Sequence, residues 1–70
     1  MVKYADFFGS TKQDKFDEWY YNIAREEALD DLNKAVKDDS IISIIQDESY
    51  YVDSQEKYVH CGLLQVYYKE

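Results

Sequence analysis

The chain has few of the residues that interrupt a fold or cross-link it. It contains no proline, two glycines, one cysteine and one histidine among 70 residues. A single cysteine cannot form an internal disulfide, so a reducing cytoplasm is the expected setting. Without a spacer rich in glycine, proline or serine, the sequence predicts a single small domain over residues 1–70 rather than two units joined by a linker.

Basic residues and long apolar runs are also scarce. Lys and Arg number 8 against 15 Asp and Glu, which gives a formal net charge of −7. Affinity for phosphate is carried mostly by Lys and Arg, so this balance argues against direct binding of nucleic acid or of anionic membranes. No apolar run is long enough to span a bilayer, and the first residues do not read as a signal peptide. We expect a basic protein partner instead.

The sequence carries no motif for catalysis or for a bound metal or cofactor. His60 is the only histidine, and on a strand its neighbour Cys61 would point to the opposite face, so the two cannot act together as base and nucleophile. No glycine-rich phosphate loop, paired CxxC or HExxH is present. The acidic residues lack the glycine that a calcium loop needs at its centre. We therefore predict no enzyme activity, no metal site and no cofactor.

The composition changes near Ser40 from helix formers to Ile, Val, Tyr and Ser. Ser10, with Gln13 three residues later, matches a capping box, and no helix breaker follows before about residue 37. The pattern predicts an α+β fold, with an N-terminal helical half at about 10–38 packed on a C-terminal half at about 41–69. The second half is predicted to form a two- or three-stranded antiparallel sheet.

The helical half allows two arrangements. At 100° per residue, the apolar side chains between Phe16 and Ile23 fall on one side of a helix, and those between Ala28 and Val36 fall nearly opposite. One straight helix on one surface cannot bury both groups. Two helices that meet near residues 24–26 fit best, and one long helix that packs against different neighbours in a dimer is the alternative.

The second half contains shorter runs. Ile41–Ile45 is rich in β-branched residues and predicts a strand, although periodicity does not exclude a helical turn over 41–46. Asp53–Glu56 is a polar tetrad suited to a hairpin loop, and Lys57–Lys69 is expected to be the longest strand. Residues 1–9 are expected to form a short helix or strand that fixes the N-terminus.

Acidic doublets are the most distinctive feature of the chain. On a helix, the acids between Glu26 and Asp31 fall opposite the apolar side, and their spacings of three and four residues cost a few tenths of a kcal/mol per pair. Lys34 is expected to pair with Asp30 or Asp31, and Glu26 and Glu27 lie in the expected first turn of the second helix, where the helix dipole favours acids. We interpret these charges as a surface that docks on a basic protein. The doublets are Asp17–Glu18, Glu26–Glu27, Asp30–Asp31, Asp38–Asp39 and Asp47–Glu48.

Tyrosines also occur in doublets, Tyr20–Tyr21, Tyr50–Tyr51 and Tyr67–Tyr68. Adjacent side chains diverge on a helix or a strand, so one member of each doublet should be partly exposed. Because tyrosine is enriched at binding hot spots, Tyr21 joins the candidate contact residues. Trp19 is expected in the core.

These acidic doublets and neighbouring tyrosines resemble the small acidic DNA-mimic inhibitors of phages and mobile elements, including anti-CRISPR and anti-restriction proteins. The resemblance implies a protein that blocks a groove lined by Lys and Arg in the host-cell cytoplasm. A second hypothesis is a regulatory or structural interaction module, such as an antitoxin, an immunity protein or an assembly subunit. That module would bind through apolar surface, as a homodimer formed by the Phe16–Ile23 stripe or by an open strand edge.

Overall fold

The computed structural model describes all 70 residues, as one helix and one three-stranded antiparallel sheet. In chain order the elements are β1 (Val2–Gln13), α1 (Tyr20–Ala35), β2 (Ile41–Val52) and β3 (Tyr58–Lys69), with a short 3₁₀ turn at Asp38–Ser40. The strand order is β1–β3–β2, so the C-terminal strand lies between the other two. The fold is α+β.

The N-terminal half is not helical, and the predicted arrangement of a helical half followed by a sheet half was wrong. Residues 2–13 form β1, which pairs with β3 from Val2 opposite Lys69 to Gln13 opposite Tyr58. Ser10 therefore lies within a strand and does not cap a helix. Pairing with a strand that is distant in sequence outweighs the local capping pattern, as tertiary context often does.

The helical segment is a single helix, and it is shorter than the predicted helical half at about residues 10–38. α1 begins at Tyr20, ends at Ala35 and buries Ala24, Ala28 and Leu32 against the sheet. Phe16 and Trp19 precede the helix, so no helix has to bury two opposite stripes. The prediction of two helices was wrong for this reason. The prediction that Trp19 lies in the core was also wrong, because its side chain is 60% exposed.

The strand predictions after Ser40 are confirmed, with corrected lengths. Residues 41–46 are strand rather than helical turn, and β2 continues without a break to Val52. A tight turn joins β2 to β3, closed by the Asp53 N–H, which donates to the Lys57 carbonyl at 2.9 Å. All three strands have 12 residues, so β3 is not the longest.

The helix covers one side of the sheet, over β1 and β3. Five buried residues form the core cluster, Ala28, Leu32 and Val36 from the helix side and Leu64 and Val66 from β3. Strand side chains alternate between faces, so every second residue of β3 points away from the helix. β2 lies outside the helix's cover, and 11 of its 12 residues are exposed.

The molecule is elongated, with extents of 44 × 16 × 14 Å. Twelve-residue strands at about 3.3 Å per residue account for most of its length. Its helix lacks the length and apolar character needed to cross a membrane.

Candidate protein-binding surface

The side of α1 that points away from the sheet is negatively charged. Ala24, Ala28 and Leu32 are buried against the sheet, which turns the intervening acids outward. Glu26, Glu27, Asp30 and Asp31 are all exposed, and we call the surface formed by these four side chains the acidic helix face. Glu27 lies at the edge of this face next to β1, because its Oε2 accepts the Ser10 N–H at 3.5 Å. The predicted amphipathic pattern is confirmed, with an apolar side formed by Ala24, Ala28 and Leu32 rather than by Leu29, Leu32 and Val36.

Ion pairs within the protein do not neutralise the acidic helix face. The three ion pairs use only acids outside the doublets, joining Lys3 to Glu70, Lys12 to Asp53 and Lys57 to Asp14. Lys34 pairs with neither Asp30 nor Asp31, contrary to prediction. Of the ten doublet carboxylates, only those of Asp17 and Glu27 accept a hydrogen bond, which leaves eight without a partner in the protein.

The helix dipole does not stabilise the charges of these acids. Glu26 and Glu27 were expected near a helix start, but α1 begins six residues before Glu26 and has no acid in its first turn. The dipole acts mainly within the terminal turns, so mid-helix carboxylates gain little from it. The expected placement was wrong, and the mutual repulsion of these charges stays uncompensated.

Two further doublets extend the acidic surface at the ends of the helix. Asp38 and Asp39 are exposed in the 3₁₀ turn that follows α1. Asp17 and Glu18 are exposed just before α1. Asp17 also has a structural role, because its Oδ1 accepts the Trp19 N–H at 2.9 Å and its own N–H donates to His60 Nε2 at 3.3 Å.

The fifth doublet is divided between the two faces of the sheet. Register on β2 places Glu48 opposite Gly62 on the helix side and Asp47 opposite Leu63 on the other side. Burial raises the pKa of the Tyr21 hydroxyl, and the nearby charges of Glu48 and Glu18 raise it further. The structure thus brings Glu18, Tyr21 and Glu48 together and leaves Asp47 apart from the acidic helix face.

An aromatic cluster surrounds His60 beneath the first turn of α1. The histidine is fully buried, and the Phe16 ring stacks on it with a centroid separation of 5.3 Å. Rings of Tyr20, Tyr21 and Tyr50 complete the enclosure at 5.2–6.4 Å. Nε2 accepts the Asp17 N–H at 3.3 Å, and the buried Nδ1 has no partner. The clustering of aromatic residues near 16–21 was its only signal in the sequence.

Cys61 lies on the opposite face of β3 from His60, as predicted, and it is buried. Burial raises the pKa of its thiol, which lowers the fraction of reactive thiolate. The two side chains therefore do not form a base and nucleophile pair.

Every tyrosine doublet has at least one partly exposed member, as predicted, although only the C-terminal doublet divides into one exposed and one half-buried residue. Tyr67 is exposed and Tyr68 is half-buried. Tyr50 and Tyr51 are both exposed, because the helix does not cover β2, and Tyr20 and Tyr21 are both half-buried.

A second surface, not recognised in the sequence, lies on the side of the sheet away from α1. It carries exposed apolar side chains from all three strands, and we call it the open sheet face. Its signal was the apolar character of Val59, Cys61, Leu63 and Tyr67 at alternate positions of β3, interrupted only by Gln65, which the pattern of a one-sided sheet does not require. The exposed apolar residues are Val2, Tyr4, Phe8, Ile45, Tyr51 and Tyr67.

Other features offer less to a ligand. An open cleft of about 500 Å³ lies between the C-terminal ends of α1 and β3, lined by residues that include Lys37, Tyr68 and Lys69. No group of three or more His, Cys, Asp or Glu side chains lies close enough together to hold a metal ion. Comparison of the chain with protein-family models, with curated proteins and with solved structures finds no match.

Proposed function

We propose that this protein is a small acidic inhibitor that docks on the basic, nucleic-acid-binding surface of another protein and blocks it. In this proposal it is a DNA mimic of the anti-CRISPR or anti-restriction type, acts in the cytoplasm of a host cell and catalyses no reaction. The acidic helix face is its main contact, with Asp17, Glu18, Asp38 and Asp39 at either end. Tyr21 and Glu48 add an edge contact.

The observation that carries the proposal is the set of eight doublet carboxylates with no ion pair and no hydrogen bond in the protein. Like charges three and four apart on a helix destabilise it, and a short chain has little stability to lose. A basic groove would neutralise these charges on binding. Binding would therefore relieve the repulsion among these carboxylates that destabilises the free protein.

The geometry also supports mimicry of a nucleic acid. Four of the five doublets follow the helix along the long dimension of a molecule 44 Å in length. Duplex DNA presents about one charge per 1.7 Å of its axis. A basic groove that binds DNA therefore carries positive charge along its length, and the acidic surface of this protein could contact a similar length of that groove. Complementary charge of this kind steers encounter and fixes register more than it adds affinity.

The test begins with capture of the partner on the immobilised protein from lysate of the source cell. The purified complex is then titrated with NaCl and, separately, with a duplex DNA of about 15 base pairs. We expect the dissociation constant to rise at least tenfold between 50 and 200 mM salt, because salt screens the attraction between exposed opposite charges. We also expect the duplex to displace the inhibitor.

Two charge-matched variants show whether the acidic helix face is the contact. One carries Glu26→Gln, Glu27→Gln, Asp30→Asn and Asp31→Asn. The control carries Asp6→Asn, Asp14→Asn, Glu56→Gln and Glu70→Gln, which remove the same number of charges outside the doublets. Loss of affinity in the first variant alone supports the proposal. Equal loss in both, or a partner that the duplex does not displace, contradicts it.

A regulatory or structural interaction module that binds through apolar surface is the second candidate. Exposure of Phe16, Trp19 and Ile23 at the start of α1 favours it, because large apolar side chains at one end of a small protein often mark a contact. Under this alternative Trp19→Ala weakens the captured complex and the four amide substitutions on the acidic helix face do not.

A further inference from the structure

The open sheet face has a regular composition that follows from strand register. Leu64 and Val66 pack under the helix, so Leu63, Gln65 and Tyr67 point the other way. Across the sheet, Leu63 lies opposite Phe8 on β1 and Asp47 on β2. Gln65 lies opposite Asp6 and Ile45, and this alternation extends the face along all three strands.

Large apolar side chains on this face remain in water. Phe8 and Ile45 are 53% and 54% exposed, although they flank the central strand rather than a loop. Val59 and Cys61, on the central strand of the face, are 6% and 7% exposed. An apolar surface that spans the full width of a sheet is typical of an interface.

The charges on this face nearly cancel. Its strands place two acids, Asp6 and Asp47, and two bases, Lys12 and Lys69, on the side away from the helix. These four charges sum to zero, and Asp53, which pairs with Lys12 at the end of the face, brings the sum to −1 on a protein whose net charge is −7. The excess negative charge lies elsewhere, mainly on and around α1.

Several polar groups of the face already have partners inside the chain. The Tyr4 hydroxyl donates to Asp6 and accepts the Gln65 Nε2–H at 3.1 Å. Lys12 pairs with Asp53 at 2.8 Å, and the Tyr4 and Tyr67 rings lie 4.9 Å apart across the strands. These contacts already pair the polar groups of Tyr4, Asp6, Gln65 and Lys12, whereas Asp47 and Lys69 have no partner in the chain and would need one in whatever covers the face.

We propose that a second copy of this chain covers the open sheet face, sheet against sheet, to form a homodimer with layers in the order helix, sheet, sheet, helix. Two molecules of charge −7 repel each other. Repulsion is weakest when they associate through a face that carries little net charge, and the apolar side chains of the open sheet face favour such contact. Packed sheets lie about 10 Å apart, and a helix is about 10–12 Å across. The two acidic helix faces would therefore be about 30 Å apart, well beyond the Debye length of about 8 Å at physiological salt.

The area of the face matches the needs of a dimer. A strand of 12 residues is about 40 Å long, and three strands about 4.8 Å apart give a width of about 14 Å. The footprint is then about 550 Å² per copy, or about 1,100 Å² for the pair. This exceeds the roughly 1,000 Å² expected of a biological interface but lies below the roughly 1,200–2,000 Å² of stable complexes, so the dimer should be weak and reversible.

Sedimentation equilibrium of the full chain over 1 μM to 1 mM protein tests the dimer, at 50 and 500 mM NaCl. We expect a reversible monomer–dimer equilibrium whose dissociation constant falls at the higher salt, because salt screens the repulsion and leaves apolar contact intact. The midpoint of thermal unfolding should rise with protein concentration. A monomer throughout the range, with a midpoint independent of concentration, overturns the proposal.

Two pairs of variants locate the interface. Phe8→Glu on β1 and Ile45→Glu on β2 should each raise the dissociation constant at least tenfold. The controls are Trp19→Glu and Val52→Glu, at apolar residues of 60% and 52% exposure that lie off this face, and they should change it less than threefold. Circular dichroism verifies the fold of each. A dimer formed through the free edge of β2 would survive Phe8→Glu, and one formed through β1 would survive Ile45→Glu, so survival in either overturns the proposal.

The dimer does not depend on the proposed inhibitor function. Docking of the acidic helix face on a basic partner weakens as salt rises, whereas self-association through the open sheet face strengthens. The four amide substitutions on the acidic helix face should leave the dimer intact or tighten it.

Discussion

Gly9 on β1 lies directly opposite Gly62 on β3, and both lie beneath the stretch of α1 that contains Ala24 and Ala28. A Cβ at Gly9 would overlap the carbonyl oxygen of Ala24 and lie 2.9 Å from the Ala28 nitrogen. A Cβ at Gly62 would lie 3.2 Å from the Arg25 nitrogen. These two glycines therefore allow the helix to approach the sheet closely, and the approach orients the acidic helix face outward.

Replacement of Gly9 by alanine should be one of the most destabilising small changes in the protein. The new methyl group meets backbone atoms that cannot rotate away, so we expect a loss of about 3 kcal/mol in the free energy of unfolding, at the upper end for overpacking. Gly62→Ala is the matched comparison and should cost about 1 kcal/mol. Urea denaturation measures both. Equal losses at the two glycines would show that the close contact between α1 and Gly9 does not limit how α1 packs on the sheet.

The same glycines explain why part of the fold escaped prediction. The capping-box spacing of Ser10 and Gln13 predicts a helix start just after Gly9, where the structure has a strand. The actual role of Gly9 is to let α1 approach a strand that is held by β3, about fifty residues later, and no local pattern identifies that arrangement. The C-terminal strands and their turn were predictable, since β-branched runs and a polar tetrad are local signals.

The two candidate surfaces also differ in whether the sequence predicts them. The outward direction of Glu26 and Asp30 followed from helical periodicity over a few residues and was correct. The open sheet face required knowledge that β1 is a strand and that only one side of the sheet is covered. Trp19 was misplaced because its helical angle was counted from a helix that begins after it.

Within the first acidic doublet, Asp17 should matter for stability and Glu18 should not. Asp17 Oδ1 accepts the Trp19 N–H at the entrance to α1 and acts much as an N-cap does. We expect Asp17→Ala to lower the free energy of unfolding by about 1 kcal/mol, measured by urea denaturation. Glu18→Ala, which removes an exposed and unpartnered carboxylate, should change it by less than about 0.5 kcal/mol. Similar losses at both positions would argue against the capping role.

The turn between β2 and β3 offers a stabilising change. Glu56 has a φ of 61°, in the left-handed region that costs a residue with a Cβ about 1–2 kcal/mol. Glycine removes this cost but increases the freedom of the unfolded chain, so Glu56→Gly should raise the free energy of unfolding by about 0.5–1 kcal/mol net. Thermal and urea unfolding measure the gain.

Two controls separate backbone strain at Glu56 from charge. Glu56→Gln removes the same charge, keeps the Cβ and should leave stability nearly unchanged. Ser54→Gly introduces glycine into the same turn at a residue whose φ is not positive, and it should be slightly destabilising. A gain from Glu56→Gln equal to that from Glu56→Gly would show that charge, not backbone conformation, is responsible.

Asp53 should make the protein sensitive to acid over a defined range of pH. The Lys12 ammonium at 2.8 Å, together with the Lys57 and Gln55 N–H groups, lowers the pKa of the Asp53 carboxyl from 3.8 to about 2. A carboxyl whose pKa is lower in the folded state stabilises the fold above its ordinary pKa. That contribution should disappear as the pH falls from about 4 towards 2.

The measurement is the free energy of unfolding of the wild type and of Asp53→Asn, by urea denaturation between pH 6 and pH 2. We expect Asp53→Asn to be less stable at pH 6 and the difference between the two proteins to shrink as the pH falls below 4. Lys12→Met should raise the pKa of Asp53. The loss of unfolding free energy on acidification should then occur at higher pH in this variant than in the wild type. Glu70→Gln removes an exposed carboxylate paired with Lys3 at 3.5 Å and should leave the profile unchanged. A difference between wild type and Asp53→Asn that stays constant down to pH 2 would show that ionisation of Asp53 does not hold the turn.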